Sequence, residues 1–164
     1  MFGDISLIRS AAKNPATSPE LTEDLVNSVK AKTTAVLALL RQACQQFPSI
    51  TFANSLGAED MLLSDLILRE KLAISIFSLD TGRLPPETYE LMQALEQKYQ
   101  TKLKIYFPQA EAVEHYVQQH GINAFYQSIE MRKACCQMRK VEPLRRALQG
   151  KQAWITGMRA EQSA

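Results

Sequence analysis

The sequence predicts an α/β fold, with a mainly parallel sheet and helices on both faces. Short runs of β-branched and aromatic residues alternate with segments whose apolar residues recur at helical spacing. Parallel strands need long crossover connections, usually helices, and this alternation supplies one between neighbouring strand candidates. Ligands of such sheets bind beyond the carboxyl ends of the strands, so polar segments that follow strands are the candidate site.

The composition is that of a globular protein without a strong charge bias. Of 164 residues, 46% are hydrophobic and 22% are charged, and the net charge is +2. So small a charge excludes a general attraction to nucleic acid or to an anionic membrane, and any anion site must be local. No apolar run approaches the roughly 18 residues of a membrane span, and MFGDISLIRS lacks the pattern of a signal peptide. We therefore expect a cytoplasmic protein with no nucleic-acid or membrane partner.

The chain is long enough for one core, since a chain near this length buries roughly 70% of its unfolded surface. Residues 1–20, which include NPATSPE, are predicted to form an irregular N-terminal lead-in, and residues 21–164 one α/β domain. The domain opens with one long or two short helices over residues 21–47, capped by Ser18 or Thr22. The apolar face of this stretch comprises Leu25, Val29, Val36, Leu39, Leu40 and Cys44.

Four strand candidates follow, and helix candidates lie between them. The strand candidates are SITFA (49–53), LAISIFSL (72–79), KLKIYF (102–107) and QAWITG (152–157). The helix candidates are MLLSDLILRE, TYELMQALEQKY, EAVEHYVQQH and VEPLRRALQ. Trp154, in the last strand, is expected to pack in the core. The segments SLGAED (55–60), DTGR (80–83) and GMR (157–159) follow strands and should open onto one edge of the sheet.

The segment SLGAED joins the first strand to a helix and can bind an anion. Gly57 lets the backbone turn tightly, and the N–H groups at a helix start carry partial positive charge. The same residues also allow a purely structural interpretation. In that case Ser55 and Gly57 begin the helix, while Glu59 and Asp60 complement its dipole.

Two further segments can contact a nucleotide. Asp80 directly follows an apolar strand, where its carboxylate can accept hydrogen bonds from a ribose or a base, and Arg83 can meet a phosphate. The paired prolines after Arg83 stiffen the loop, and a rigid turn without a ligand is the alternative. Gly157 ends the fourth strand, and Arg159 offers a guanidinium suited to a bidentate oxyanion contact.

Cys135 and Cys136 stand side by side in the stretch KACCQMRK. A chain with three cysteines and no export signal is not expected to hold a disulfide framework. The pair can ligate an iron–sulfur cluster, act as reactive thiols or have no function, and the residues alone leave all three open. Neighbouring cations favour a functional pair, because they lower thiolate pKa values and would stabilise a negatively charged cluster. These cations are Arg132, Lys133, Arg139 and Lys140.

Four motifs, in this order and spacing, resemble the assimilatory adenylyl-sulfate reductases: SLGAEDMLL, FSLDTGRLPPETYELM, RKACCQMRKVEPLRRAL and WITGMRAEQS. The resemblance covers nearly the whole chain from about residue 20. These enzymes are related to phosphoadenylyl-sulfate reductases and have an adenine-nucleotide alpha-hydrolase-like fold of the ATP-pyrophosphatase type. The resemblance implies that residues 21–164 are a nucleotide-binding reductase domain. It also implies thiol-dependent reduction of adenylyl sulfate to sulfite and AMP in sulfate assimilation.

The resemblance implies a set of substrate-binding residues. SLGAED would be a modified pyrophosphate loop around the phosphosulfate, LDTG would contact the nucleotide, and the end of the fourth strand would lie near the adenosine. Arg139 would contact an anion, and Lys140 would link the substrate electrostatically to a cluster. The implied residues are Ser55, Leu56, Gly57, Ala58, Glu59, Asp60, Leu79, Asp80, Thr81, Gly82, Arg83, Arg139, Lys140, Gly157, Met158 and Arg159.

The resemblance also assigns Cys135 and Cys136 to two of the four ligands of a 4Fe-4S cluster, a feature of the branch that usually reduces adenylyl sulfate. The other ligands in that branch form a CxxC motif, and the nucleophile is a cysteine on a mobile C-terminal tail. Neither is among these 164 residues. We therefore expect a shortened reductase that holds no complete cluster and shows no turnover alone. In the longer protein, thioredoxin or glutaredoxin would be the reductant, and a homo-oligomer is one state that the sequence leaves open.

Three alternatives stay open at the level of the sequence. The first is a phosphoadenylyl-sulfate reductase, because the residues do not decide whether a 3′-phosphate is accepted. The second is a non-reductase ATP-binding or adenylyltransferase module of the same superfold, which a loop of the SGGxDS type would have favoured. The third is a non-catalytic module that kept only the fold. The paired cysteines and the KVEPL segment favour a redox enzyme of sulfate assimilation, and SLGAED departs from the SGGxDS pattern.

Overall fold

The structure, a computed structural model, describes residues 21–159 and contains a four-stranded sheet. The strands are β1 (Ile50–Ala53), β2 (Ser75–Leu79), β3 (Lys104–Tyr106) and β4 (Ala153–Ile155). All of the pairings are parallel, and the spatial order is β3-β2-β1-β4. The four strand candidates are therefore confirmed, each shortened by one or more residues. The predicted lead-in over residues 1–20 lies outside the described residues.

The strand order reverses direction at β1. The chain passes from β1 to β2 to β3 on one side, and β4 then joins the opposite side of β1. Phe52 of β1 is in register with Ile76 of β2 and with Ile155 of β4. A crevice forms beyond the carboxyl ends of the strands where such an order reverses, and it is the usual ligand site of open α/β sheets.

Helices connect the strands and cover both faces of the sheet. The described helices are α1 (Glu23–Gln46), α2 (Ala58–Arg69), α3 (Pro86–Tyr99), α4 (Ala110–His120), α5 (Ile129–Cys136) and α6 (Glu142–Leu148). Of these, α5 was not among the helix candidates. A short 3₁₀ turn, Ala124–Tyr126, precedes α5, and a π-helical turn, Gln137–Val141, joins α5 to α6. None of the helices within residues 21–159 combines the length and the apolar character needed to cross a membrane.

The main core lies between one face of the sheet and two helices. Phe52 and Ile50 of β1 pack with Leu66 and Ile67 of α2 and with Leu40 of α1, and all five side chains are buried. Alternate residues of the strands face the other way. There, Phe77 meets the ring of Tyr106 edge to face at 5.7 Å, and α6 contacts β2 and β3. The prediction of helices on both faces is therefore confirmed.

The described residues divide into two compact units, residues 21–35 and residues 36–159. Within the first unit, the N–H of Leu25 donates to the Thr22 hydroxyl at 3.3 Å, which confirms Thr22 as a cap. Within the second, Cys44 packs against the main core, as expected. Leu25, Val29 and Leu39 were placed on the apolar face of the helix, but their exposed fractions are 41%, 54% and 65%. Those placements were wrong. For Leu39 the reason is that Leu40 occupies the buried direction and adjacent helical residues point about 100° apart.

Trp154 is not a core residue, and that expectation was also wrong. It lies in β4, which is an edge strand of the described sheet, and 47% of its surface is exposed. An edge strand has a neighbour on one side only, so its large side chains are covered less completely than those of a central strand. The indole instead lines a cavity at the carboxyl end of the sheet.

Candidate nucleotide and thiol site

The polar segments after β1, β2 and β4 meet at the carboxyl edge of the sheet, where three cavities adjoin. The β1–β2 cavity is lined by Asn54, Ser55, Ser78, Leu79, Thr81 and Lys140, among others. The β1–β4 cavity is lined by Ser55, Glu59, Asp60, Leu79, Trp154, Gly157 and Met158, among others. The cysteine cavity is lined by Thr81, Arg83, Leu84, Phe125, Arg132, Cys135, Cys136, Arg139 and Lys140. Because the cavities share lining residues, they form one connected site.

The loop after β1 is shaped by a buried asparagine that the sequence analysis missed. Asn54 is 2% exposed, and its Oδ1 accepts the N–H of Leu56 at 2.6 Å. Its Nδ2 donates to the Ser64 hydroxyl at 2.8 Å, which ties the loop to α2. Leu56 has a φ of 66°, a left-handed conformation that is unfavourable for residues with a side chain. The hydrogen bond from its N–H to Asn54 stabilises this conformation. An asparagine between a strand and a glycine loop was the signal available in the sequence.

Asp60 joins the two sides of the crevice. Its carboxylate accepts the N–H of Ser55 at 2.6 Å and the N–H of Gly157 at 2.9 Å, and the residue is buried. These N–H groups belong to the loops that follow β1 and β4, on either side of the point where the strand order reverses. A Cβ on Gly157 would lie 2.1 Å from Oδ1 of Asp60, so this position has room for glycine alone.

The remaining donors for an anion lie at the start of α2. The N–H groups of Ser55, Leu56 and Gly57 already have acceptors, which are Asp60, Asn54 and the Ser55 hydroxyl. Helix α2 begins at Ala58 without a side-chain cap. The first N–H groups of a helix have no partner within it and carry partial positive charge. Any phosphate held by the SLGAED segment would therefore bind these first-turn groups.

Glu59 and Arg159 form an ion pair beside this helix start, with Nε of Arg159 3.2 Å from Oε1 of Glu59. The pair brings the predicted guanidinium to the same edge of the sheet as the predicted anion loop. Both side chains are exposed, so the pair contributes little to stability and can rearrange around a ligand.

The carboxylate of Asp80 is buried and shapes its own loop. It accepts the N–H of Gly82 at 2.7 Å and the hydroxyl of Tyr89 at 3.0 Å. Partial burial and this hydrogen bond raise the pKa of Tyr89 above its usual value. Gly82 has a φ of 68°, which glycine adopts without strain. The structure therefore gives Asp80 the role of closing a tight turn, and its contact with a nucleotide stays a prediction.

Arg83 reaches away from the crevice toward the segment before α5. Its Nη2 donates to the carbonyl of Ile122 and its Nη1 to Oδ1 of Asn123 at 3.3 Å. Its Cζ lies 4.7 Å from the centroid of the Phe125 ring. The predicted phosphate contact of Arg83 is not tested by these contacts, but they show that the guanidinium already has protein partners.

Helix α5 brings the two adjacent cysteines to one cavity. The helix begins at a Ser128 cap, whose hydroxyl accepts the N–H of Met131 at 3.2 Å. Cys135 is buried and Cys136 is exposed, and both line the cysteine cavity. Side chains of adjacent helical residues point about 100° apart, so the pair lines one cavity with unequal burial.

The π-helical turn after the cysteines positions two cations differently. Arg139 is buried, and its Nη1 donates to the carbonyl of Thr81 at 2.6 Å. The Nε of Arg139 is the one buried side-chain polar atom without a hydrogen-bond partner in the part of the chain that the structure describes. Lys140 is exposed and lines both the β1–β2 cavity and the cysteine cavity. π-Helical turns of this kind often occur at functional sites.

Tyr116 of α4 packs against α5. Its ring packs with Ala124 and Cys135 in a small cluster, and its hydroxyl donates to the carbonyl of Met131 at 3.0 Å. Burial and the nearby Cys135 raise the pKa of Tyr116, so the hydroxyl keeps its proton and stays a donor. Tyr116 was not among the predicted site residues, although the apolar spacing of its helix could have indicated it.

Comparison with known families identifies this arrangement. A family model described as the phosphoadenosine phosphosulfate reductase domain matches residues 49–164. This chain belongs to the phosphoadenosine phosphosulfate reductase family. The match includes every predicted site residue, from Ser55 to Arg159.

Several relatives within this family are similar along most of the chain. An adenosine 5′-phosphosulfate reductase of Allochromatium vinosum is 50% identical over 145 residues, which are 88% of this chain and 56% of the relative. The enzyme of the same name from Burkholderia cepacia is 47% identical over 148 residues, which are 90% of this chain and 58% of the relative. The chain thus spans somewhat more than half the length of these relatives.

A solved structure shares the fold. The crystal structure of phosphoadenylyl-sulfate reductase from Candida auris, a phosphate complex, has a TM-score of 0.66 and 25% identity. The similarity covers 90% of this chain and 73% of that one. The predicted adenine-nucleotide alpha-hydrolase-like fold is therefore confirmed.

The cysteine cavity of this reductase-family chain suits a negatively charged group, since four of its lining residues are Arg83, Arg132, Arg139 and Lys140. The Nε of Arg139 is buried without a hydrogen-bond partner among the described residues. The two thiols fit two ligand positions of an iron–sulfur cluster. The part of the chain covered by the structure contains no group of three or more potential ligands.

Proposed function

We propose that this chain is the nucleotide-binding part of an adenylyl-sulfate reductase of sulfate assimilation. The longer enzyme would reduce adenylyl sulfate to sulfite and AMP at the expense of a dithiol. The observation that carries the proposal is the connection between two cavities. Thr81 and Lys140 line both the cavity at the strand ends and the cysteine cavity, so a nucleotide and a thiol-held group can lie side by side.

The nucleotide would lie across the ends of β1, β2 and β4. The exposed indole of Trp154 and the loop at Gly157 would border the adenosine, while the first turn of α2 would face the phosphosulfate. Lys140 would neutralise the sulfonate end, because its ammonium is exposed toward both cavities. Arg159 would contact the phosphosulfate by exchanging Glu59 for the substrate anion.

The proposed reaction begins when a cysteine thiolate attacks the sulfonate sulfur. A new S–S bond forms, the bond from that sulfur to the phosphate oxygen breaks, and AMP leaves with the electron pair. The product on the protein is an S-sulfocysteine. One thiol of thioredoxin or glutaredoxin then attacks the cysteine sulfur and releases sulfite, and the second thiol reduces the mixed disulfide. We propose that the attacking cysteine lies in sequence beyond these 164 residues, and that the 164-residue polypeptide alone does not turn over.

Cys135 and Cys136 are proposed as two of four ligands to a 4Fe-4S cluster in the longer protein. When bound, the cluster would supply a charged iron–sulfur face beside the reacting sulfonate. The residues of this chain would serve it in two ways. Arg139 and Lys140 would balance its charge, and α5 would hold both thiols on the wall of one cavity. Reduced thiols of this kind suit the cytoplasm, where we place the reaction.

Assays of the longer protein with two substrates test the proposal. We expect kcat/KM for adenylyl sulfate to exceed kcat/KM for phosphoadenylyl sulfate by at least about 100-fold. The second candidate is a phosphoadenylyl-sulfate reductase, which the description of the matched family and the Candida auris structure favour. Comparable efficiencies, or a preference for the 3′-phosphorylated nucleotide, would support that candidate.

A further inference from the structure

We propose that Arg83 is a positioning residue that holds one wall of the cysteine cavity and so keeps Cys135 buried while Cys136 stays exposed. The relevance of this role to catalysis rests on the proposed function. The claim about the two thiols concerns the protein alone and is tested without substrate, cluster or reductant.

The contacts of Arg83 span two separate parts of the chain. The residue follows β2, and its guanidinium bonds a segment about 40 residues further along, at Ile122 and Asn123. The Cζ of the same group lies over the Phe125 ring, 4.7 Å from its centroid. A guanidinium can donate hydrogen bonds from its edge while its face stacks on an aromatic ring, so one side chain makes all three contacts.

The segment that Arg83 holds packs against α5 through Ala124 and Phe125, but its outer residues bury little apolar surface. Gly121 ends α4 with a φ of 90°, and the short 3₁₀ turn Ala124–Tyr126 follows. Ala124 is fully buried, whereas Ile122 is 64% exposed and Tyr126 is 74% exposed. The hydrogen bonds of Arg83 to Ile122 and Asn123 restrain the segment where this packing ends, and their loss would lower the free-energy cost of local opening.

Phe125 connects this segment to the cysteines. Its ring packs against the cluster that contains Ala124, Tyr116 and Cys135, and it lines the cysteine cavity. Within that cavity, Cys135 is 9% exposed, while Cys136 is among the exposed residues. Release of Phe125 from Arg83 would uncover the buried thiol and leave the exposed one nearly unchanged.

The backbone of Arg83 is linked through Thr81 to the π-helical turn that follows the paired cysteines. Its N–H donates to the Thr81 hydroxyl at 3.2 Å, and the Thr81 carbonyl accepts Nη1 of Arg139 at 2.6 Å. A Cβ on Gly82 would lie 3.2 Å from the same Nη1, which shows how closely the loop and the buried arginine approach. The loop after β2 thus contacts Arg139 on one wall of the cavity, and its Arg83 contacts Phe125 on the other.

The test is the alkylation rate of each cysteine in the reduced 164-residue protein, followed with N-ethylmaleimide by peptide mass spectrometry. In the native chain we expect Cys136 to react at least about tenfold faster than Cys135, because a buried thiol reacts only through local opening. In Arg83→Ala, the rate at Cys135 should rise at least about fivefold, and those at Cys136 and Cys44 should stay within about twofold. Cys44 is an internal control, since it packs against the main core.

Loss of charge cannot produce the expected result. Removing a cation raises the pKa of nearby thiols and slows their alkylation, which is opposite to the predicted acceleration. Arg145→Ala, a loss of the same charge from an exposed position on α6, should leave all three rates unchanged. Arg83→Lys keeps a cation near the ring and should recover part of the protection of Cys135.

An unchanged rate at Cys135 in folded Arg83→Ala would overturn the proposal. If that variant unfolds, Cys44 will also be labelled rapidly, and Arg83→Gln then decides by the same criterion. The glutamine keeps a donor for the Ile122 carbonyl but loses the stacked cation. Either result leaves the proposed reductase function as it stands, and a failed reductase assay would leave this measurement intact.

Discussion

At the scale of single residues, the site depends on one buried carboxylate. Asp60 accepts N–H groups from both loops that border the crevice, those of Ser55 and Gly157. Hydrogen bonds to an ionised acceptor contribute about 1.5–3 kcal/mol each, so together they hold the two loops at a fixed separation. A separation fixed before the ligand arrives lowers the ordering cost of binding.

The close approach at Gly157 leads to a stability prediction. A Cβ there would lie 2.1 Å from Oδ1 and 3.2 Å from N of Asp60, so Gly157→Ala must move a loop and break the hydrogen bond. We expect the free energy of unfolding to fall by about 1–3 kcal/mol, as in other overpacked sites. Urea unfolding followed by circular dichroism measures the change.

Gly57→Ala is the matched control for this substitution. A Cβ at residue 57 would lie 3.5 Å from Oγ of Ser55, an ordinary contact, and Gly57 has a φ of −69°. The loss there should be about 1 kcal/mol, the typical cost of replacing a favourable helix N-cap residue by alanine without a steric clash. Equal losses in the two variants would contradict the role given to the Asp60–Gly157 contact.

At the scale of secondary-structure elements, the sequence predicts those helices and strands that have a periodic apolar face. The strands and most helices were found because residues such as Phe52 and Leu66 recur at the spacing that the sheet buries. Helix α5 escaped this reasoning. Its buried residue Cys135, and Arg139 in the π-helical turn that follows, carry no apolar periodicity, and Ile129 at its start is exposed. A π-helical turn contains one extra residue, and the amino-acid composition does not indicate where such a turn occurs.

In the candidate site, too, the sequence predicted which kinds of residue are present but not which residues contact one another. The sequence indicated which loops and which charged residues reach the carboxyl edge of the sheet, because parallel strands end together there. It did not indicate that Asp60 bridges two loops or that Arg83 turns toward Phe125. Those choices depend on distances across the fold, where residues about 100 positions apart, such as Asp60 and Gly157, become neighbours.

Helices α2 and α3 are joined by a polar network that makes stability depend on pH. The Tyr99 hydroxyl donates to the Asp65 carboxylate, and Nη1 of Arg69 and Nζ of Lys98 lie 3.3 Å and 3.6 Å from its oxygens. The Tyr99 hydrogen bond, opposed by partial burial and assisted by the two cations, lowers the pKa of Asp65 below 3.8. A carboxyl with a lowered folded pKa stabilises the protein at higher pH, and this contribution is lost as the pH falls through 3.8 toward the folded value.

Tyr99→Phe removes the largest cause of that shift. We expect its free energy of unfolding to be lower than that of the native chain by about 0.5–1.5 kcal/mol above about pH 5, the usual contribution of one hydrogen bond. The difference should shrink toward about pH 3, where the Asp65 carboxyl of the unfolded chain is protonated. Urea titrations across this range measure it, with Tyr126→Phe, at an exposed tyrosine, as the control. A difference that does not vary with pH would refute the assignment to Asp65.

At the scale of the whole molecule, the nucleotide crevice and the cysteine cavity depend on opposite ends of the sequence. Strand β1, the start of α2 and the loop after β2 supply part of the walls, and α5, the π-helical turn and β4 supply the rest from later in the sequence. Thr81 and Lys140 join the two cavities. The fold must therefore be complete before either cavity has its shape, and ligand binding should report on the folding of the whole sheet.

Iron binding by the 164-residue chain should be incomplete. Cys135 and Cys136 offer two thiolates, and no group of three potential ligands occurs within residues 21–159, whereas a four-iron cluster needs four ligands. After anaerobic reconstitution with iron and sulfide, we expect no stable broad iron–sulfur absorbance at one cluster per chain. The Cys135→Ser, Cys136→Ser double variant gives the baseline for loosely bound iron.

Two chains together offer four thiolates, so a bridged dimer would show half a cluster per chain and twice the mass in light scattering. One full cluster on a monomer would mean that Cys44 or an oxygen or nitrogen ligand completes the site, and the assignment of the missing ligands to a longer chain would be wrong.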